Sequence, residues 1–76
     1  MGELVSAIAK SLVENPEAVE VSEEQSNGTT VVQLEVAPDD MGKVIGKQGR
    51  IAKAIRTVVK AAATKANIRV VVEIVQ

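Results

Sequence analysis

Two glycines three positions apart, Gly46 and Gly49, separate two stretches of helically spaced apolar residues, and this junction limits what the chain can become. Met41, Val44 and Ile45 precede it; Ile51, Ile55, Val58, Val59 and Ala62 follow, and Lys47 and Gln48 fill the gap. Glycine tolerates the positive φ that ends many helices, because it has no Cβ to clash, and Gly46 is expected to use that freedom. Gly49 leaves no side chain between the backbone and a ligand. A helix starting there presents N–H groups that lack intrahelical partners, together with the positive end of its dipole. Such a place suits an anion. Lys47 and Arg50 bring a mobile and a forked positive charge to it.

Other glycine motifs fit less well. Gly42-x-x-x-Gly46-Lys47-Gln48 is one residue short of a Walker A loop and has Gln where Mg²⁺ needs Ser or Thr. The spacing of Gly42, Gly46 and Gly49 also differs from the dinucleotide-binding G-x-G-x-x-G.

Charge supports an anionic partner at this junction. The net charge is only −1, but it is unevenly spread. Residues 1–40 hold one base and nine acids, and residues 41–76 hold eight bases and one acid. An acidic half matched to a basic half inside the fold is the plainer reading. A local anionic partner is preferred, because the bases gather on the junction and the helix after it. Composition removes other classes. The 76 residues contain no Cys and no His, so disulfides, thiolate metal sites and the usual nucleophilic triads are absent. No catalytic residue, metal site or cofactor is expected. With no Phe, Trp or Tyr, base-stacking platforms of the RRM or cold-shock kind are excluded. Apolar residues make up 46%, too many for a disordered chain.

The apolar periods give the elements in order. Residues 3–14 place Leu4, Val5, Ile8, Leu12 and Val13 near one helical face, and Asn15-Pro16 stops that helix. The opening Met1-Gly2-Glu3-Leu4-Val5-Ser6 matches a myristoylation pattern, but reads better as a helix start. No run is long enough to span a membrane, and no secretory signal is present. Residues 18–24 and 30–37 alternate in hydropathy around Ser26-Asn27-Gly28, predicting an antiparallel hairpin. Val32, Leu34 and Val36 are expected inside. The hairpin acids Glu20, Glu23, Glu24 and Glu35 form a solvated face that repels phosphate. Pro38 opens a short helix, and Asp39 and Asp40 sit where its dipole favours acids, which accounts for them without catalysis. A long helix over 49–66 ends near Asn67. A strand over 68–75 follows, with Ile68, Val70, Val72 and Ile74 on one face and Val71 and Val75 on the other. The resulting order is αββααβ, and the crossover makes the second and third strands parallel neighbours.

The apolar arc of the long helix spans roughly 200°, wider than the ~100° needed to face one core. Ala52, Ala54, Val58, Ala61 and Ala63 lie near its margins. Two readings stay open: alanine serves helix formation, or a second subunit covers one margin.

Val44-Ile45-Gly46-Lys47-Gln48-Gly49-Arg50-Ile51 resembles the V-I-G-x-x-G-x-x-I core of the KH domain, an RNA-binding module whose GXXG loop clamps nucleic-acid backbone. The resemblance covers almost the whole chain and points to the small bacterial KhpA family. It implies an α+β fold of KH type II, with a three-stranded mixed sheet and three helices packed on one face. Residues 1–76 would form a single KH domain with its GXXG loop at 46–49. It implies a cytoplasmic, non-catalytic RNA chaperone or post-transcriptional regulator, gripping about four nucleotides of a single strand. Gly46, Lys47, Gln48, Gly49 and Arg50 would hold phosphate, flanked by Lys43, Lys53 and Arg56. Bases would rest near Ile45 and Ile51. The resemblance also favours a homodimer, for which Ala54, Val58, Ala61 and Ala62 are the candidate surface, and partnership with a larger KH-containing protein of the Jag/EloR kind. The alternative is a KH fold used chiefly for dimerisation or protein binding.

Overall fold

The computed structural model describes residues 1–46 and 49–75, with Lys43 and Ile45 described by their backbone alone. The elements are α1 (Gly2–Leu12), a 3₁₀ turn (Pro16–Ala18), β1 (Glu20–Ser26), β2 (Thr29–Glu35), α2 (Pro38–Ile45), α3 (Arg50–Ala66) and β3 (Arg69–Ile74). β2 is the central strand, antiparallel to β1 and parallel to β3. The helices pack on one face of this mixed sheet, the α+β arrangement of a type II KH domain.

Local chemistry sets the breaks. Asn27 and Gly28 both take positive φ (50° and 79°), joining Ser26 to its partner Thr29 through a two-residue loop. Such turns match the twist of the flanking strands. Pro38 opens α2 with Asp39 and Asp40 in its first turn. Asn67, at φ 58°, closes α3 in a left-handed conformation. Its N–H bonds the Thr64 carbonyl at 3.1 Å, and the Ile68 N–H bonds that of Ala63 at 3.0 Å. That pair of bonds is a Schellman closure.

Val32, Leu34 and Val36 are buried as their alternation requires, against Val5 and Ala9 of α1, Val44 of α2, and Ala52, Ile55 and Val59 of α3. Two expectations shift. α1 stops at Leu12, so Leu12 is exposed, while Val13 turns extended and is buried beyond the helix end. Ile68 belongs to the α3 closure, not to β3, and is 46% exposed where an inward position was expected.

Candidate nucleic-acid interface

The junction between α2 and α3 is closed by backbone bonds. The Gly46 N–H donates to the Gly42 carbonyl at 2.7 Å, and the Gly49 N–H donates to the Gly46 carbonyl at 2.8 Å. The two glycines divide their work differently from the expectation. Gly46 is extended (φ −74°, ψ −178°) and does not use positive φ. A Cβ there would fall on the Gly42 carbonyl oxygen, so its requirement for glycine is steric. Gly49 holds the left-handed conformation (φ 64°, ψ 34°) as the residue that starts α3. A Cβ there would meet no described atom within 4 Å, so Gly49 faces open space. Lys47 and Gln48, between them, lie outside the described residues.

The start of α3 is electrostatically unfinished. No side chain caps it, and its first turn contains no acid. Both α1 and α2, by contrast, carry acids in their first turns. Arg50 and Lys53, both exposed, stand beside the positive end of the α3 dipole. Cations at that end cost stability unless an anion joins them. Arg56 lies one turn beyond Lys53 and donates to the Val72 carbonyl of β3 at 3.5 Å, which directs it toward the sheet. Lys43 and Ile45 lie on α2 within its last turn. Ile51 is half-buried and packs against the core cluster.

Beside the junction runs an open groove of about 950 Å³. Pro38, Met41 and Gly42 of α2 line it together with Gly46, Ala18, Val36 and Ala37. Its walls are mostly aliphatic, the surface a base can rest on without aromatic stacking. Glu20 and Glu35, directly opposed in the β1–β2 register, stand at the rim, joined by Val75. Glu20 and Glu35 make that end of the groove acidic. The sequence did not point to Met41 or Ala18 as groove walls, nor to the burial of Asp40. Alternation and capping rules describe each element separately and carry no signal for pairs that meet only through the fold.

Ala54, Val58 and Ala61 are exposed along α3, with Val58 at 43%, and Ala62 is half-buried. Among the described residues no group of three acids is placed to hold a metal ion, and no helix is long and apolar enough to cross a membrane.

Comparison with known proteins agrees with this geometry. Residues 2–74 match the KH-domain family described as KhpA/KhpB. An RNA-binding protein KhpA from Caldanaerobacter subterraneus is 65% identical over 75 residues, covering 99% of this chain and all of the relative. The protein of the same name from Clostridium acetobutylicum is 64% identical over 75 residues, with 99% and 100% coverage. That from Aquifex aeolicus is 47% identical over 74 residues, covering 97% of this chain and 94% of its own. The chain thus belongs to the KhpA/KhpB family of KH domains.

Proposed function

We propose that this chain is a non-catalytic, single-stranded RNA-binding protein, acting in the cytoplasm as an RNA chaperone or post-transcriptional regulator. Residues 1–76 act as one KH domain, and the 46–49 loop is the clamp. The observation that carries the reading is the start of α3. It is uncapped, free of acids, flanked by Arg50 and Lys53, and opened to approach by the bare Cα of Gly49. A strand phosphate would supply the missing negative charge. Lys47 and Arg50 provide charge, the amide of Gln48 donates while that of Gly49 stays on the Gly46 carbonyl, and Lys43, Lys53 and Arg56 extend the field. Ile45, Ile51 and the aliphatic groove wall take the bases. The relatives' printed name, RNA-binding protein KhpA, supports this assignment. Single-stranded oligonucleotides are expected to bind in a gel-shift or anisotropy titration at low salt. Duplexes of the same sequence are expected not to, since their bases cannot enter the groove. Equal binding of duplex and single strand would remove the groove from the account.

A dimer is the second part of the proposal, because Ala54, Val58 and Ala61 place an apolar strip of α3 in solvent. The proposed occupant is a second copy, with a larger KH-containing protein of the Jag/EloR kind as an alternative partner. Val58→Glu is expected to halve the mass seen by sedimentation while leaving the fold intact. RNA affinity should drop about tenfold or more as the paired sites lose their shared effective concentration. An unchanged mass would locate self-association elsewhere.

A further inference from the structure

Asp40 is 1% exposed, and the RNA-binding reading does not use it directly. It occupies the first turn of α2, yet its carboxylate is directed at the end of α1. Oδ1 accepts the Glu14 N–H at 3.1 Å. Oδ2 accepts the Asn15 N–H at 3.0 Å and the Asn15 side-chain amide at 3.1 Å. The consequence lies one step beyond these bonds. Asn15 begins the short turn that ends at Ala18, where the Ala18 N–H bonds the Asn15 carbonyl at 3.0 Å. Ala18 and Met41, the neighbour of Asp40, both line the groove. α1 packs on α3, β1 and β2, whereas α2 packs on α3. The carboxylate thus straps the segment that contributes Ala18 to the groove to the helix that contributes Met41.

We propose that Asp40 is a positioning residue for the nucleic-acid groove: its bonds to Glu14 and Asn15 fix the placement of Ala18 relative to Met41 in the groove lining. The proposal rests on the RNA-binding reading. The chemistry demands a carboxylate rather than any buried polar group. Among the described residues three N–H donors converge on two oxygens, and both oxygens must accept. An asparagine has the same shape but turns an NH₂ toward one set of donors. That arm of the strap then opens, because two donors cannot bond each other. A groove held at its bound width before the ligand arrives avoids the ordering cost of closing around it.

Asp40→Asn is the test, with Val5→Ala as a destabilised control whose buried site lies on α1, away from the groove lining. All affinities are measured well below the melting temperature of each variant, on the same short single-stranded RNAs. Asp40→Asn is expected to bind about tenfold more weakly, a change of ~1.4 kcal/mol. The slope of affinity against salt should stay at the wild-type value, since the loop's phosphate contacts are untouched. Val5→Ala should bind as the wild type does. Amide exchange at Glu14 and Asn15 should speed at least tenfold in Asp40→Asn, while the α3 amides keep their protection. Should Asp40→Asn fail to fold, Asn15→Ala removes one of the three donors and is expected to give a smaller affinity loss with the same unchanged slope. Equal affinity of the wild type and the Asp40 or Asn15 variant would reduce the strap to a purely structural contact. Unchanged exchange at Glu14 and Asn15 would remove the strap itself. A wild type that binds no RNA would instead defeat the RNA-binding reading, and with it the role of the strap in that binding, while the exchange data still report on the strap.

Discussion

Gly46→Ala is expected to destabilise the fold by about 2–4 kcal/mol, and Gly49→Ala by only about 1–2 kcal/mol. The difference follows from where each Cβ would go. At Gly46 it falls on the Gly42 carbonyl oxygen, which already accepts the Gly46 N–H. Backbone cannot swing aside as a flexible side chain can. Either the last bond of α2 breaks or the helix end moves, and an exposed polar group or a lost bond is added to the strain. At Gly49 no described atom stands in the way of a Cβ, and the penalty is that of an L-residue held at φ 64°. A chain of this size has a total stability of roughly 4–11 kcal/mol, at ~0.05–0.15 kcal/mol per residue. Gly46→Ala therefore removes a large fraction of it. Urea melts monitored by circular dichroism check both values. Equal losses at the two positions would mean that Gly46 is not sterically confined.

Lys47→Asp combined with Gln48→Asp is expected to lower single-stranded RNA affinity by more than about a hundredfold, a loss on the order of 3 kcal/mol. The effect has two sources. A cation that can bond a phosphate oxygen disappears, and two carboxylates arrive at the same place. Charge-assisted hydrogen bonds carry roughly 1.5–3 kcal/mol, and like charges close to phosphate add repulsion to their loss. Stability should change little, because the chain positions 47 and 48 fall between α2 and α3 and outside both helices. Arg50 and Lys53 would remain, so residual binding should be weak and less dependent on salt than that of the wild type. A double variant of unchanged melting temperature and unchanged affinity would mean that RNA, if bound, is held elsewhere.

Much of this architecture was legible because its determinants are local. Asn27-Gly28 carries the residue types that a two-residue hairpin loop requires. The alternation through Val32, Leu34 and Val36 gives the inward face of β2, and Pro38 followed by two acids gives the start of α2. Asn67 announces the end of α3 by its tolerance of positive φ. The two chain-reversing connections then leave the parallel β2–β3 pairing as the natural closure.

What the sequence did not yield depends on residues far apart or on backbone paths. Asp39 and Asp40 look alike as dipole partners. Only the fold brings Asp40 against amides 25 and 26 positions away. Gly46 reads as the residue of positive φ and Gly49 as the bare approach to a ligand, yet Gly49 holds the positive φ, because which one does so depends on how α2 exits relative to its own carbonyls. Arg56 reads as an extension of the loop's positive field, yet β3 presents it with a carbonyl. Leu12 and Ile68 fit the apolar period of their segments but sit where the segment changes conformation, so the period no longer describes them. The acidic hairpin face was correctly read as solvated, while its closeness to the groove rim arises from the Glu20–Glu35 register at the end of the sheet.

The central claim is that the Gly46–Gly49 junction holds strand phosphate, and the salt dependence of binding tests it most directly. Affinity for a pool of short single-stranded RNAs would be measured by fluorescence anisotropy from low to physiological salt, for the wild type and for Lys47→Asp/Gln48→Asp. With two to four phosphate contacts, the wild type should give a log–log slope between about −1.4 and −2.8, from roughly −0.7 per contact on single strands. The double variant should show both a weaker affinity and a shallower slope. Wild-type binding that is indifferent to salt, or a slope that the double variant leaves unchanged, would contradict the clamp and shift attention to the exposed strip of α3 as the working surface.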